Sequence, residues 1–514
     1  MFFPGRTGAR PGTILALSLL ACAGGAGLAF VPAPTFLVVA ATFCIGLWLA
    51  TRGYFQRRGD IAEDAVVGSP PRRSTFAGRL VPVFLVFWWV VLIAPLSLYD
   101  PRVVGGQDAA QATASGSLQN QIMIVAFGGI GLILLMGAIK RMDVAFRWIL
   151  VLWAVYLGWG YASLLWSVYP PLTIRNLVAY VLVTFGSFGL GAGFYGARPD
   201  GRAMFFRHIT VAGLLSALVI LIPLPLHWGQ IDPLNPAQRL EINGNFTALV
   251  ARPVMTAVVT LLITSLVGLR KWRTRDWLYV FVLLLPVFVL KTRGPFLWAM
   301  LALVIVYLLY RTRVHDRIFQ LGLAVTAALG AYVSYSSGML GLIVPYLTRD
   351  NTQLSMSLTG RIPLWEAIVP QIEQHPLLGV GFAAFWNPEN LYRMQEIVGF
   401  PVVSAHNGFL QELLDTGMIG LALFLVFWVS TMALVVHRAR RGGDRMGWFA
   451  LALMVLYLLL NVTTALMQEY LEFPFMLVFA TLGMMAVRNP SRENDAGIPR
   501  PERLELRVGG SGGG

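Results

Sequence analysis

Long apolar runs separated by short polar stretches dominate the chain, and the length of the runs decides what they mean. A helix rises 1.5 Å per residue, so about 20 apolar residues cross the ~30 Å hydrocarbon layer of a bilayer. Runs of that kind fall near residues 14–30, 33–50, 80–97, 121–138, 148–166, 174–194, 208–226, 246–268, 277–291, 295–310, 318–335, 418–436, 447–466 and 471–487. They predict an all-α polytopic membrane protein with about fourteen spans (12–14). Arg6 and Arg10 ahead of the first run imitate a signal peptide, but a second run follows at once, so the first is read as a retained span.

The pattern divides the chain into four parts. Residues 1–335 hold the first eleven spans, 336–417 form one long polar-interrupted segment, 418–487 hold the last three spans, and 488–514 form a tail whose residues 509–514 read as a flexible linker. The segment 336–417 far exceeds ordinary loop length and carries helical patterns of its own, which marks it as functional. A smaller loop, near 227–245, is stiffened by prolines.

Composition agrees: 57% of the 514 residues are hydrophobic, 12% are charged, and the mean hydropathy is +0.68. Cys22 and Cys44 both fall inside apolar runs and suggest neither a disulfide nor a metal site. Charge fixes the expected topology, because cytoplasmic loops collect Lys and Arg. With the N-terminus inside, the inner regions hold 30 of the 39 basic and 12 of the 25 acidic residues, a balance of +18 against −4 outside. The net charge of +14 therefore reports topology and attraction to anionic lipids, not nucleic-acid binding, and both termini are expected in the cytoplasm.

Nine basic residues run against that trend. Among them Arg175 opens the sixth span, Arg252 is expected about two turns into the eighth, Arg293 sits in K291-T-R-G between the ninth and tenth, and Arg361 begins a helical pattern. Singly, each reads as an interfacial anchor whose stem snorkels to the headgroups; together they point to a cationic pocket at the outer face. Guanidinium suits a diphosphate because its planar fork donates two parallel hydrogen bonds and stays charged. In L358-T-G-R-I-P-L-W-E-A-I-V-P-Q-I-E-Q-H375, Pro363 suits a first helical turn and Leu364, Trp365, Ile368 and Ile372 share a stripe, so Arg361 stands at a helix N-terminus that favours an anion. The alternative is an amphipathic surface helix with Arg361 solvated.

In S404-A-H-N-G-F-L-Q-E-L-L-D-T-G417, Asn407 is a helix cap, Phe409, Leu410, Leu413 and Leu414 are expected to point inward, and Thr416-Gly417 break the helix before the next span. This holds His406 at the membrane edge. A lone histidine is commonly structural, but imidazole is the side chain best matched to taking a hydroxyl proton near neutrality, and Glu412 and Asp415 stand close by as groups that could orient it. The chain contains no Walker loop, no H-E-x-x-H, no G-x-S-x-G and no outer D-x-D pair, so no metal and no cofactor is expected.

The runs T359-G-R-I-P-L-W-E-A-I-V-P, H375-P-L-L-G-V-G-F-A-A-F-W386 and A405-H-N-G-F-L-Q-E-L-L-D-T-G-M-I-G420 resemble the signature region of the bacterial O-antigen ligase and polymerase superfamily, including the H-x10-G spacing from His406 to Gly417. S163-L-L-W-S-V-Y-P-P-L-T-I-R-N176 and K291-T-R-G294 resemble its exopolysaccharide-polymerase branch. Two departures stand out: that branch commonly has a His-Lys-Asn cluster after a Phe-Thr-like pair, whereas F246-T-A-L-V-A-R252 keeps only the arginine, and Leu364 follows Arg361 one place earlier than in the ligases' R-x3-L motif.

The resemblance implies a metal-independent, inverting glycosyltransferase of the bacterial inner membrane with its active site on the periplasmic face. It would take glycan from undecaprenyl diphosphate, using His406 as base and Arg175, Arg252, Arg293 and Arg361 for the diphosphate. The implied acceptors are a second lipid-linked repeat (polymerase), lipid A-core (ligase) or a protein; membrane lipids and a chain-length regulator are the other partners it admits. A flippase is the rival from another class. It would need ionisable groups near mid-membrane and paired broken helices, and the polar residues gather at one face instead.

Overall fold

The computed structural model describes residues 118–222, 241–242, 245–246, 251–289, 293–311, 361–399, 402–469 and 471–487. The expected spans at 14–30, 33–50, 80–97 and 318–335, both cysteines, most of the 227–245 loop, the stretch 336–360 and the tail 488–514 lie outside them.

Twelve α-helices make up nearly all of the described chain: α1 (Leu118–Ala138), α2 (Val144–Ala162), α3 (Pro170–Gly189, continued by a π-turn to Tyr195), α4 (Gly201–Leu221), α5 (Ala251–Leu266), α6 (Thr274–Val289), α7 (Arg293–Arg311), α8 (Arg361–Gln374), α9 (Pro388–Val398), α10 (Gly408–Arg441), α11 (Met446–Thr463) and α12 (Phe473–Ala486). The strands are a two-residue antiparallel pair, Glu241–Ile242 with Asn245–Phe246. Among the described residues, five segments are long and apolar enough to cross a membrane: Ile124–Arg141, Val144–Leu165, Pro170–Tyr195, Gly408–Arg441 and Met446–Thr463. Each overlaps an expected span. Shorter apolar helices occupy Ala251–Leu266, Gly294–Tyr310 and Phe473–Ala486.

The bundle is hydrophobic all round, as helices must be when both core and lipid are apolar. Its centre is aromatic. Trp153 of α2 is fully buried, 4.5 Å from the Phe427 ring and 5.0 Å from the rings of Tyr156 and Phe479, while the tilted rings of Phe475 and Tyr180 lie 5.1 Å apart beside it. Elsewhere small residues set the spacing: α1 and α3 touch backbone to backbone, since a methyl group on Gly131 would overlap Gly186 and one on Gly189 would overlap the Gly131 carbonyl.

The two ends of the bundle differ in chemistry. At the end where α10 finishes, Arg438, Arg440 and Arg441 complement its carbonyl terminus, and Arg438 pairs at 2.7 Å with Asp143, whose other oxygen caps α2 through Ala145 N–H at 2.9 Å. Arg202 pairs with Asp444 there at 2.9 Å. At the opposite end α8, α9 and the start of α10 form a small cap with its own core: Leu364, Ile368, Phe385, Trp386, Met394, Ala405 and Leu414 are buried together.

Candidate functional site

The site is built around a break in α10. Gly417 has φ 68° and ψ −173°, a conformation that suits glycine, and it divides a short first segment from the long apolar one. A break inside a helix frees carbonyls before it and N–H groups after it. The loop 376–381 takes up both sets: Val380 N–H donates to Leu414 O at 3.0 Å and Gly381 N–H to Asp415 O at 2.9 Å, while Met418 N–H donates to Pro376 O at 2.9 Å and Ile419 N–H to Leu377 O at 3.3 Å. The same stretch reaches the α2–α3 connection through Phe382 N–H to Ser163 Oγ at 3.0 Å and Val168 N–H to Val380 O at 2.9 Å. The conspicuous H-P-L-L-G-V-G-F run is therefore the brace that lets α10 bend.

His406 immediately precedes the bent segment. Asn407 caps it as expected, its Oδ1 accepting from Phe409 N–H at 2.9 Å and Leu410 N–H at 3.0 Å, while Nδ2 donates to Val462 O at the end of α11, 3.2 Å away. His406 itself has φ 49°, in the left-handed region that only a few per cent of non-glycine residues adopt and that clusters at functional sites.

Two expected arginines act on this imidazole. Burial is the largest influence on His406, followed by the charges of Arg361 and then Arg252, and together they lower its pKa to about 4. The ring is therefore neutral at physiological pH, the form that accepts a proton. Arg361 opens α8, half-buried, beside the helix's first N–H groups. Arg252 is the second described residue of α5, and the stretch 247–250, over which the sequence expects the span to run before it, lies outside the described residues.

Arg252 is also only 7% exposed and already compensated, by a close ion pair with Glu472 and a second with Glu469 at 3.7 Å. Arg175 stands half-buried in the second turn of α3, and Arg293 begins α7.

Glu412 and Asp415 are fully buried, and their hydrogen bonds go elsewhere than the imidazole. Glu412 accepts from Tyr156 Oη at 2.9 Å, Thr416 Oγ1 at 2.6 Å and Gln468 Nε2 at 3.2 Å, and so ties the α11–α12 connection to the bent segment. Asp415 accepts from Phe385 N–H at 3.2 Å and, at close range, from the Gln411 amide. The first segment of α10 thus buries Gln411, Glu412, Asp415 and Thr416 completely or nearly so; of Phe409, Leu410, Leu413 and Leu414, expected to be its inward face, Leu414 is fully buried and the other three only partly.

Glu469, Glu472 and Gln411 escaped the sequence reading. The two glutamates could have been suspected from acids placed next to a span on the side opposite the inner charges; nothing in the periodicity singles out Gln411. Among the described residues no group of three or more His, Cys, Asp or Glu side chains is placed to hold a metal.

A match to a known family falls on the same segment. Residues 278–425 match the family described as Wzy_C, O-antigen ligase. The "Exopolysaccharide production protein ExoQ" of Rhizobium meliloti (strain 1021) is 30% identical over 112 residues, 21% of this chain and 25% of that protein, so the similar stretch spans about a quarter of the relative. The matched family segment contains Arg293, Arg361, His406, Glu412, Asp415 and the break at Gly417, so these residues lie where the chain is similar to the O-antigen ligase family.

Proposed function

We propose that the protein is a metal-independent glycosyltransferase that polymerises glycan repeats carried on undecaprenyl diphosphate, working at the periplasmic face of the inner membrane with both termini in the cytoplasm. The observation that carries this reading is a neutral, half-buried imidazole on which two guanidinium groups act, at the end of the bundle opposite the basic cluster.

The reaction follows from that arrangement. The acceptor hydroxyl attacks the anomeric carbon, the carbon–oxygen bond to the diphosphate breaks, His406 takes the hydroxyl proton, and the configuration inverts. The leaving group gains negative charge, which Arg361 and the N–H groups at the start of α8 stabilise. Arg252 belongs to the same set, but its two carboxylates mean that the donor's diphosphate competes with Glu472 for it. Arg175 and Arg293 complete the proposed phosphate-binding group. Glu412 and Asp415 act by holding the bent segment rather than by touching the ring.

The test is polymer laddering in a deletion strain carrying His406→Ala or Arg252→Ala. Variants that insert normally yet still make full-length glycan overturn the assignment. A ligase is the second reading, favoured by the description of the family matched over residues 278–425. In the deletion strain, loss of polymerisation leaves single repeats, whereas loss of ligation leaves long polymer on the carrier lipid.

A further inference from the structure

Among the described residues none hydrogen-bonds the His406 imidazole, so the main chain around it sets where the ring points. That main chain is gripped from both sides. On the far side, Asn407 caps α10 and reaches Val462. On the near side, the fully buried Ala405 is held by two side chains from different elements: its carbonyl accepts from Trp365 Nε1 of α8 at 2.9 Å, and its N–H donates to Gln411 Oε1 at 3.0 Å.

Gln411 is 5% exposed and every one of its polar contacts is inside the protein. Its oxygen also accepts from Trp386 Nε1 at 2.7 Å, and its amide nitrogen donates to Asp415, whose other oxygen accepts Phe385 N–H at 3.2 Å. The oxygen faces two N–H donors and the nitrogen faces a carboxylate, so the amide has a single orientation that satisfies it. A chain of contacts therefore runs from Phe385, just past the brace loop, through Asp415 and Gln411 to the N–H of Ala405, the residue before a left-handed histidine.

We propose that Gln411 is a positioning residue: its carboxamide, oriented by Asp415, fixes the Ser404–Ala405 peptide while Trp365 holds the Ala405 carbonyl, and the residue before His406 so clamped aims the imidazole at the acceptor hydroxyl. This rests on the proton-accepting role proposed for His406. A backbone shift of about 1 Å at such a site lowers turnover on the order of 10²-fold without removing any group that contacts the donor.

The experiment uses the full chain in proteoliposomes, with lipid-linked glycan extracted from the deletion strain as donor and rates expressed per folded molecule. Gln411→Met strips Ala405 N–H, Trp386 Nε1 and Asp415 of their partner at once, and is expected to lower kcat by about 10²-fold while KM for the donor stays put. Gln411→Glu sets two carboxylates against each other and is expected to fail similarly. Adding Asp415→Asn to Gln411→Glu exchanges amide and carboxylate, recreates every hydrogen bond with the same total charge, and is expected to restore kcat to within about tenfold.

A purely structural role would lower the amount of folded protein and leave kcat per folded molecule at the wild-type value; that result overturns the inference, as does an exchange pair that folds but stays inactive. Should Gln411→Met not accumulate, the exchange pair decides in the same way. His406→Ala separates the two levels. If it is active, the proton-accepting role itself falls; if it is inactive while folded Gln411→Met turns over normally, only the positioning role falls.

Discussion

The depressed basicity of His406 gives the sharpest quantitative prediction, because it acts on catalysis and on stability with defined signs. A fall from 6.5 to about 4 is worth roughly 3 kcal/mol in favour of the neutral ring. The unfolded chain still titrates near 6.5, so between pH 6.5 and 4 it binds more protons than the folded protein, and stability rises with pH across that window. Folding is therefore unpenalised above about pH 6.5 and loses up to roughly 3 kcal/mol as pH falls towards 4.

The catalytic consequence is distinct. At pH 5.5 an ordinary imidazole is about one-tenth neutral, whereas this one is more than about nine-tenths neutral. The acid limb of kcat/KM, which reports the free enzyme, is expected near pH 4 rather than 6.5. Arg361→Gln removes the second-largest cause and leaves burial, so the limb should move upward without reaching 6.5. The assay is initial-rate transfer in proteoliposomes from pH 4 to 8, with folded fraction monitored at each point. A wild-type limb at 6.5 that Arg361→Gln does not move refutes the reasoning.

Other perturbations test the framework around the ring. Arg252→Met leaves Glu469 and Glu472 without their cation and should destabilise the protein by about 3–5 kcal/mol, whereas adding Glu472→Gln should recover most of that loss; thermal midpoints in detergent decide, and a single variant as stable as wild type would dissolve the triad as a structural unit. Gly417→Ala forces a side chain into φ 68° and against the Leu377 carbonyl, so it should cost at least about 2 kcal/mol and uncouple the bent segment, seen as a lower midpoint together with faster amide exchange at Val380 and Gly381.

Span-by-span periodicity was enough to find the bundle, because a lipid-facing helix must be apolar over its whole length and nothing else in a chain looks like that. The overlap is close for α1, α2, α3, α10 and α11, and the break at Gly417 was visible in the T-G pair. The face of the segment 408–416 was legible only at Leu414. A helix that touches only apolar neighbours buries its leucines, and the pattern F-L-x-x-L-L promises that. Here the neighbours are the Tyr156 hydroxyl, the Trp386 indole, Gln468 and the Phe385 N–H, so Gln411, Glu412, Asp415 and Thr416 go inside, joined by Leu414 alone of the four apolar residues expected there. Long-range polar partners carry no local period. His406 could be singled out by type and place, but the reason it is aimed lies in residues from α8, α9's approach and α10 that meet only in three dimensions. The same holds for Arg252: its exposure to substrate is decided by two glutamates more than 200 positions away, and a sequence that shows where a cation is does not show what already neutralises it.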